Sequence, residues 1–118
     1  GNIVLCDRYA ESTYAYQSVQ LSKTVNNPIK WLQDLSKNRI LIPDRTFYFR
    51  ITPEAALSRI QHRDELIPFE KQSFLQQVSE NYDRLCKGKR FLRIDATKII
   101  SELTKICVDE ILSKSIEK

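Results

Sequence analysis

The sequence predicts an α/β fold: a three-layer parallel sheet with helices on both faces. Short apolar runs alternate along the chain with longer stretches of helical period, the pattern of strands joined by crossover helices. The first run, Asn2 to Cys6, is apolar on both faces, as a strand covered by helices on either side must be. Acidic and basic residues fall on interspersed positions, and only two glycines and four prolines interrupt the pattern, which excludes low complexity.

Asn2–Cys6 is the first expected strand, and a helix should follow from about Ser12 to Val19. Ser22 to Asn27 is polar and reads as a loop. Asn27-Pro28 offers an N-cap and a first-turn proline, with Ile29, Trp31, Leu32 and Leu35 as the apolar face of a second helix. Pro43-Asp44 breaks the chain before a strand over Thr46–Ile51. Thr52-Pro53-Glu54 repeats the cap-plus-proline signal and predicts a helix to about His62. Arg63 to Phe69 has no apolar period and contains Pro68, so it reads as an exposed loop. Glu70 to Cys86 is the clearest amphipathic helix, with Phe74, Val78, Tyr82 and Leu85 on one stripe and Gly88 as its stop. Phe91–Asp95 is the third strand, and Ile99, Leu103, Ile106 and Cys107 mark a last helix. The expected order is β-α-α-β-α-α-β-α.

At 118 residues the chain is one domain or part of one. It holds no methionine, so Gly1 is not an unprocessed start, and opening almost directly on a core strand is what a cut chain would do. The net charge of +4 is too mild, and its bases too dispersed, to point to a nucleic acid. Lys87, Lys89 and Arg90 form the densest basic group and read as a solvated helix end. Three distant cysteines and one histidine, His62, supply neither zinc spacing nor a disulfide framework, which fits a reducing cytoplasm. No apolar run approaches the roughly 20 residues that span a bilayer, so no membrane partner is expected.

Candidate chemistry gathers at three places. Asp7-Arg8 follows the first strand, where open α/β sheets keep their ligands. The pair is either a capped turn or a phosphate-holding guanidinium beside a carboxylate that could hold magnesium through water. Arg59 and Arg63 share a helical face leading into the 63–69 loop. They are either solvated arginines at a helix end, where the dipole favours them, or phosphate-binding groups on a lid. Asp95-Ala96-Thr97 ends the third strand, with Asp95 expected to cap the last helix. There is no nucleophile–base motif and no Gly-x-x-x-x-Gly-Lys-Ser/Thr phosphate loop.

Taken in order, Asp7-Arg8-Tyr9-x-x-Ser12-x-x-Ala15-Tyr16-Gln17, Pro43-Asp44-x-Thr46-x-Tyr48 and Thr52-Pro53-Glu54 resemble the C-terminal part of thymidylate kinase. The pattern continues through Arg59, Arg63, Phe69-Glu70, Phe74 and Tyr82 to Ile94-Asp95-Ala96-Thr97, so it covers nearly the whole chain. The resemblance implies a P-loop nucleoside monophosphate kinase-like fold. It makes residues 1–118 the C-terminal part of one such domain, with a lid at about 63–69. It implies transfer of the ATP γ-phosphoryl group to thymidine monophosphate with Mg2+, and a homodimer in the complete protein.

By the same resemblance, Arg8 would bind the acceptor phosphate, and Asp7 would place the magnesium through water. Ser12, Thr13 and Gln17 would surround the thymine, and Tyr16 would sit against the sugar and disfavour a ribose 2′-hydroxyl. Arg59 and Arg63 would serve ATP, Glu70 would orient groups near the metal, and Asp95, Ala96 and Thr97 would border the adenine. Two departures stand out: Pro68 occupies a position where many relatives have arginine, and Asp64 and Glu65 add acid beside Arg63. The family's phosphate loop and central first strand are absent, so the 118 residues alone are expected to be inactive. The alternative is a degenerate, non-catalytic nucleotide-binding or interaction module.

Overall fold

A computed structural model describes residues 1–61 and 69–116. The element order is α1 (Ala10–Leu21), α2 (Pro28–Ser36), β1 (Thr46–Arg50), α3 (Pro53–Gln61), α4 (Phe69–Leu85), β2 (Phe91–Asp95) and α5 (Ile100–Ile116). The two strands run parallel, with Thr46 opposite Phe91 and Arg50 opposite Asp95. Parallel neighbours need a crossover, and α3 and α4 supply it. The architecture is therefore α/β, with a two-stranded parallel sheet among the described residues.

The expected first strand does not form. Residues 2–6 take no strand conformation, and Ile3, Val4 and Leu5 are 63%, 84% and 75% exposed. Their apolar, β-favouring side chains satisfy a propensity, but a strand also needs a neighbour's N–H and C=O groups. No described residue presents them to this segment.

The core lies between α1, α2 and α4. Glu11, Tyr14, Ala15 and Ser18 form the buried face of α1, spaced as i, i+3, i+4 and i+7. Ala15, wholly buried, lets α4 approach closely, and Val78 of α4 and Leu32 of α2 complete the contact. The polar Ser18 in this seam is satisfied by Asn81, whose Nδ2 donates to Ser18 Oγ at 2.9 Å and to the Ala15 carbonyl at 3.0 Å. Ile94 is the buried residue of β2. An ion pair from Arg45 to Glu110 ties α5 to the chain just before β1.

The local signals hold unevenly. Thr52 caps α3 as expected, its Oγ1 accepting from Ala55 N–H at 3.2 Å. Gly88, at φ +103°, makes the turn between α4 and β2 that a side chain would strain. Asn27 does not cap α2 with its side chain: it sits in the left-handed region at φ 48°, which asparagine tolerates, and Pro28 begins the helix. Nor does Asp95 cap α5, which starts five residues later, at Ile100.

Candidate functional site

Arg8 stands two residues before α1, next to its N-cap Tyr9, with φ 65°, a left-handed conformation uncommon outside glycine. That backbone turns the guanidinium back over the helix it precedes. Its Cζ lies 5.3 Å from the centroid of the Tyr16 ring, and Nη2 is 3.5 Å from the Tyr16 hydroxyl. Ser12 and Tyr16, one helical turn apart, face α4 together. Ser12 Oγ is 2.8 Å from Tyr82 Oη. The Tyr16 ring meets Phe74 at 6.0 Å and Tyr82 edge-on at 6.3 Å. Thr13 and Gln17 lie one step round α1, both exposed, and Asp7 is exposed beside Arg8. Arg8, Ser12 and Tyr16 are thus brought into one cluster, with Thr13 and Gln17 free to reach a small polar molecule placed over it.

A second cluster forms at the carboxyl ends of the strands. Asp95 accepts from the Thr97 hydroxyl at 2.6 Å and from the Thr97 N–H at 2.9 Å, closing a tight turn instead of capping a helix. These bonds, helped by the charges of Lys98 and Arg59, hold its carboxyl below the usual carboxylate range. Arg59 reaches across from α3 and donates to the Ala96 carbonyl at 3.0 Å, while Ala96 N–H bonds to the Arg50 carbonyl at 2.9 Å. Arg59, Asp95, Ala96 and Thr97 are therefore neighbours, which joins two of the places that the sequence offered separately. Arg63, with His62, Asp64, Glu65, Pro68 and nearly all of the lid expected at 63–69, lies outside the described residues, and so does the Glu70 side chain.

Sequence reasoning missed what joins α4 to the strands. The Tyr48 hydroxyl donates to Asp83 Oδ1 at 3.0 Å, and the Arg50 fork grips both carboxylate oxygens at 3.2 and 3.3 Å. Arg93 adds a third donor at 2.9 Å. Burial pushes the Asp83 pKa up, but the Arg50 and Tyr48 hydrogen bonds and the charges of both arginines outweigh it, so the net shift is downward. A lone Asp inside a helix gives no local sign of such partners; only the apposition of α4 and β1 creates them. Arg90, read as part of a solvated basic group, instead reaches Glu11 and Thr46.

Other features carry less chemistry. An open hollow of about 650 Å3 lies beside Tyr9, Glu11, Tyr14, Lys37, Leu85 and Arg90, but Arg8, Ser12 and Tyr16 do not line it. Size alone does not make it the site, since the convergent polar groups are elsewhere. Burial pushes the Cys86 thiol up to about 11, which leaves little thiolate at neutral pH for nucleophilic work. Among the described residues no three metal-ligating side chains gather, and no helix is long and apolar enough to cross a membrane. An exposed carboxylate such as Asp7 still suits magnesium, which keeps its waters and takes one or two protein carboxylates beside substrate phosphates.

The family model of thymidylate kinase matches residues 1–106. The chain belongs to the thymidylate kinase family. It is 40% identical over 114 residues to a probable thymidylate kinase of Methanosarcina barkeri, covering 95% of this chain and 56% of that protein. A probable thymidylate kinase of Methanococcoides burtonii is 38% identical over 115 residues, with 96% and 57% covered. One of Methanoculleus marisnigri is 35% identical over 113 residues. The chain spans about half the length of the curated relatives it matches.

Proposed function

We propose that this chain carries the acceptor side of a thymidylate kinase, in which the ATP γ-phosphoryl group passes to thymidine monophosphate. The observation that carries the reading is the convergence of Arg8, Ser12 and Tyr16, beside exposed Thr13 and Gln17, in a family member. In this reading a phosphate oxygen of the acceptor attacks the γ-phosphorus, the bond from γ-phosphorus to the β–γ bridging oxygen breaks, and ADP leaves with that oxygen. Arg8 holds the acceptor phosphate with a planar fork of donors. Ser12, Thr13 and Gln17 read the polar edge of the thymine, and Tyr16 lies against the sugar and leaves no room for a 2′-hydroxyl.

Arg59 fastens the 95–97 turn, so that Asp95, Ala96 and Thr97 border the adenine. Arg63 and Glu70 act from the lid and the start of α4. Asp7 would hold magnesium through water, and the bound ion would supply charge neutralisation for the phosphates. The complete domain in this reading is a three-layer P-loop kinase-like fold, a cytoplasmic homodimer that binds no nucleic acid. The 118 residues contain no phosphate-loop motif, so on this reading turnover needs residues beyond them.

The test is a coupled assay of ADP release with thymidine monophosphate on the protein at its natural length, paired with the 118 residues alone. Activity in the first and silence in the second is expected. Silence in both would favour the non-catalytic module, and activity in the second would overturn the claim that this segment is incomplete.

A further inference from the structure

The proposed function gives Ser12 and Tyr16 a task but leaves open what fixes their geometry. A serine hydroxyl rotates among three wells and can serve as donor or acceptor, so an unheld Ser12 would meet its ligand in several states. The structure holds it. Tyr82 Oη lies 2.8 Å from Ser12 Oγ, and the Tyr82 ring meets Tyr16 edge-on at an interplanar angle of 82°. Tyr82 also stacks on Tyr48 at 5.7 Å and 19°. Tyr48 is itself pinned through its hydroxyl to Asp83, which Arg50 and Arg93 clamp from the strands. A continuous stack therefore runs from the sheet to the two acceptor-facing side chains of α1.

We propose that Tyr82 is a positioning residue for the acceptor nucleotide, setting the Ser12 rotamer with its hydroxyl and the Tyr16 ring through their perpendicular ring contact. The Tyr48–Asp83 pair backs it. The inference rests on the acceptor reading above, and it goes beyond that reading by assigning the selection of acceptor geometry to α4. The Tyr82 hydroxyl is not needed to hold the helices together. Asn81 already bonds α4 to Ala15 and Ser18 of α1, and Val78 and Ala15 are buried in the same seam. Deleting one oxygen should thus disturb aim more than packing.

The experiment uses the protein at its natural length and steady-state kinetics with thymidine monophosphate and ATP. Tyr82→Phe keeps the ring and both aromatic contacts. It should raise KM for thymidine monophosphate about fivefold to tenfold, as expected for one hydrogen bond. Its kcat and its KM for ATP should stay within about twofold, whereas a general structural loss would lower kcat or raise both KM values together. Because Tyr82 acts through Ser12, Tyr82→Phe should add nothing in a Ser12→Ala background. Asp83→Asn, which weakens the backing without removing the side chain, should raise the same KM to a smaller extent.

An acceptor KM unmoved by Tyr82→Phe, equal rises in both KM values, or full additivity with Ser12→Ala would each overturn the inference. An unmodified protein that fails to phosphorylate thymidine monophosphate would remove the acceptor reading itself. An active protein indifferent to Tyr82→Phe would remove only the role of Tyr82.

Discussion

The Arg90 guanidinium, just before β2, is paired with the carboxylate of Glu11 in the first turn of α1. It also donates to Thr46 Oγ1 at 2.6 Å and lies over the Phe91 ring. The Glu11 side chain is 11% exposed and that of Arg90 27%. One ion pair thus joins the helix that carries Ser12 and Tyr16 to the first residues of both strands. Removing Arg90 would strand a nearly buried carboxylate. Arg90→Ala should cost about 2 kcal/mol, below the roughly 3–5 kcal/mol of a fully buried pair because Arg90 keeps some water contact. Replacing both partners, Arg90→Met with Glu11→Leu, should recover most of that loss. Urea unfolding of the unmodified protein and the two variants measures it, and a double variant no more stable than Arg90→Ala would refute the stranded-charge account.

Arg8 separates binding from strain. Its left-handed backbone costs a non-glycine residue about 1 kcal/mol, which glycine would avoid while losing a comparable amount in chain entropy. Arg8→Gly should therefore leave Tm nearly unchanged. Calorimetry should nonetheless show thymidine monophosphate binding weakened by about 1.5–3 kcal/mol, the worth of a charged hydrogen bond. Unaltered affinity would take the phosphate from Arg8.

Arg59 should act on the other substrate. Its bond to the Ala96 carbonyl anchors the turn proposed to border the adenine. Arg59→Ala should raise KM for ATP about threefold to tenfold, as for one exposed charged hydrogen bond, and leave the acceptor KM unchanged. A rise confined to the acceptor would place the 95–97 turn on the wrong side of the reaction.

Asp83 predicts how stability responds to acid. Its folded-state pKa is depressed below the unfolded value of about 3.9, so the unfolded chain takes up the proton first. The contribution of Asp83 is fully present above about pH 4 and fades as pH falls toward the lower folded value. The denaturation midpoint should therefore drop more steeply below pH 4 in the unmodified protein than in Asp83→Asn. Parallel curves would mean that the two arginines do not stabilise the ionised carboxylate.

How much of this was legible in the sequence differs from element to element. The amphipathic period of α4 and the apolar run of β2 show in the chain because each repeats one local preference over many residues, and both appear within a residue or two of expectation. Thr52 and Gly88 were readable because a cap and a positive φ each demand particular residue types. Arg8, Ser12 and Tyr16 were singled out by their order in the family pattern, and the structure, with positions 12 and 16 on one helical face, brings the three together.

The remainder needed tertiary structure. Asn2–Cys6 has a strand's composition and no strand, because pairing depends on another segment's backbone. The buried face of α1 is half polar, so Glu11 and Ser18 carry no hydrophobic signal; Arg90 and Asn81, distant in sequence, are what make their burial tolerable. Ser12 and Tyr82 are 70 residues apart, and nothing local to either names the other. What the sequence alone determined was the family pattern, most of the helices and two strands. Which side chains hold those in place was decided only when α4 was laid between α1 and the sheet, because hydrogen bonds and ion pairs between distant residues depend on where the chain goes, not on its local preferences.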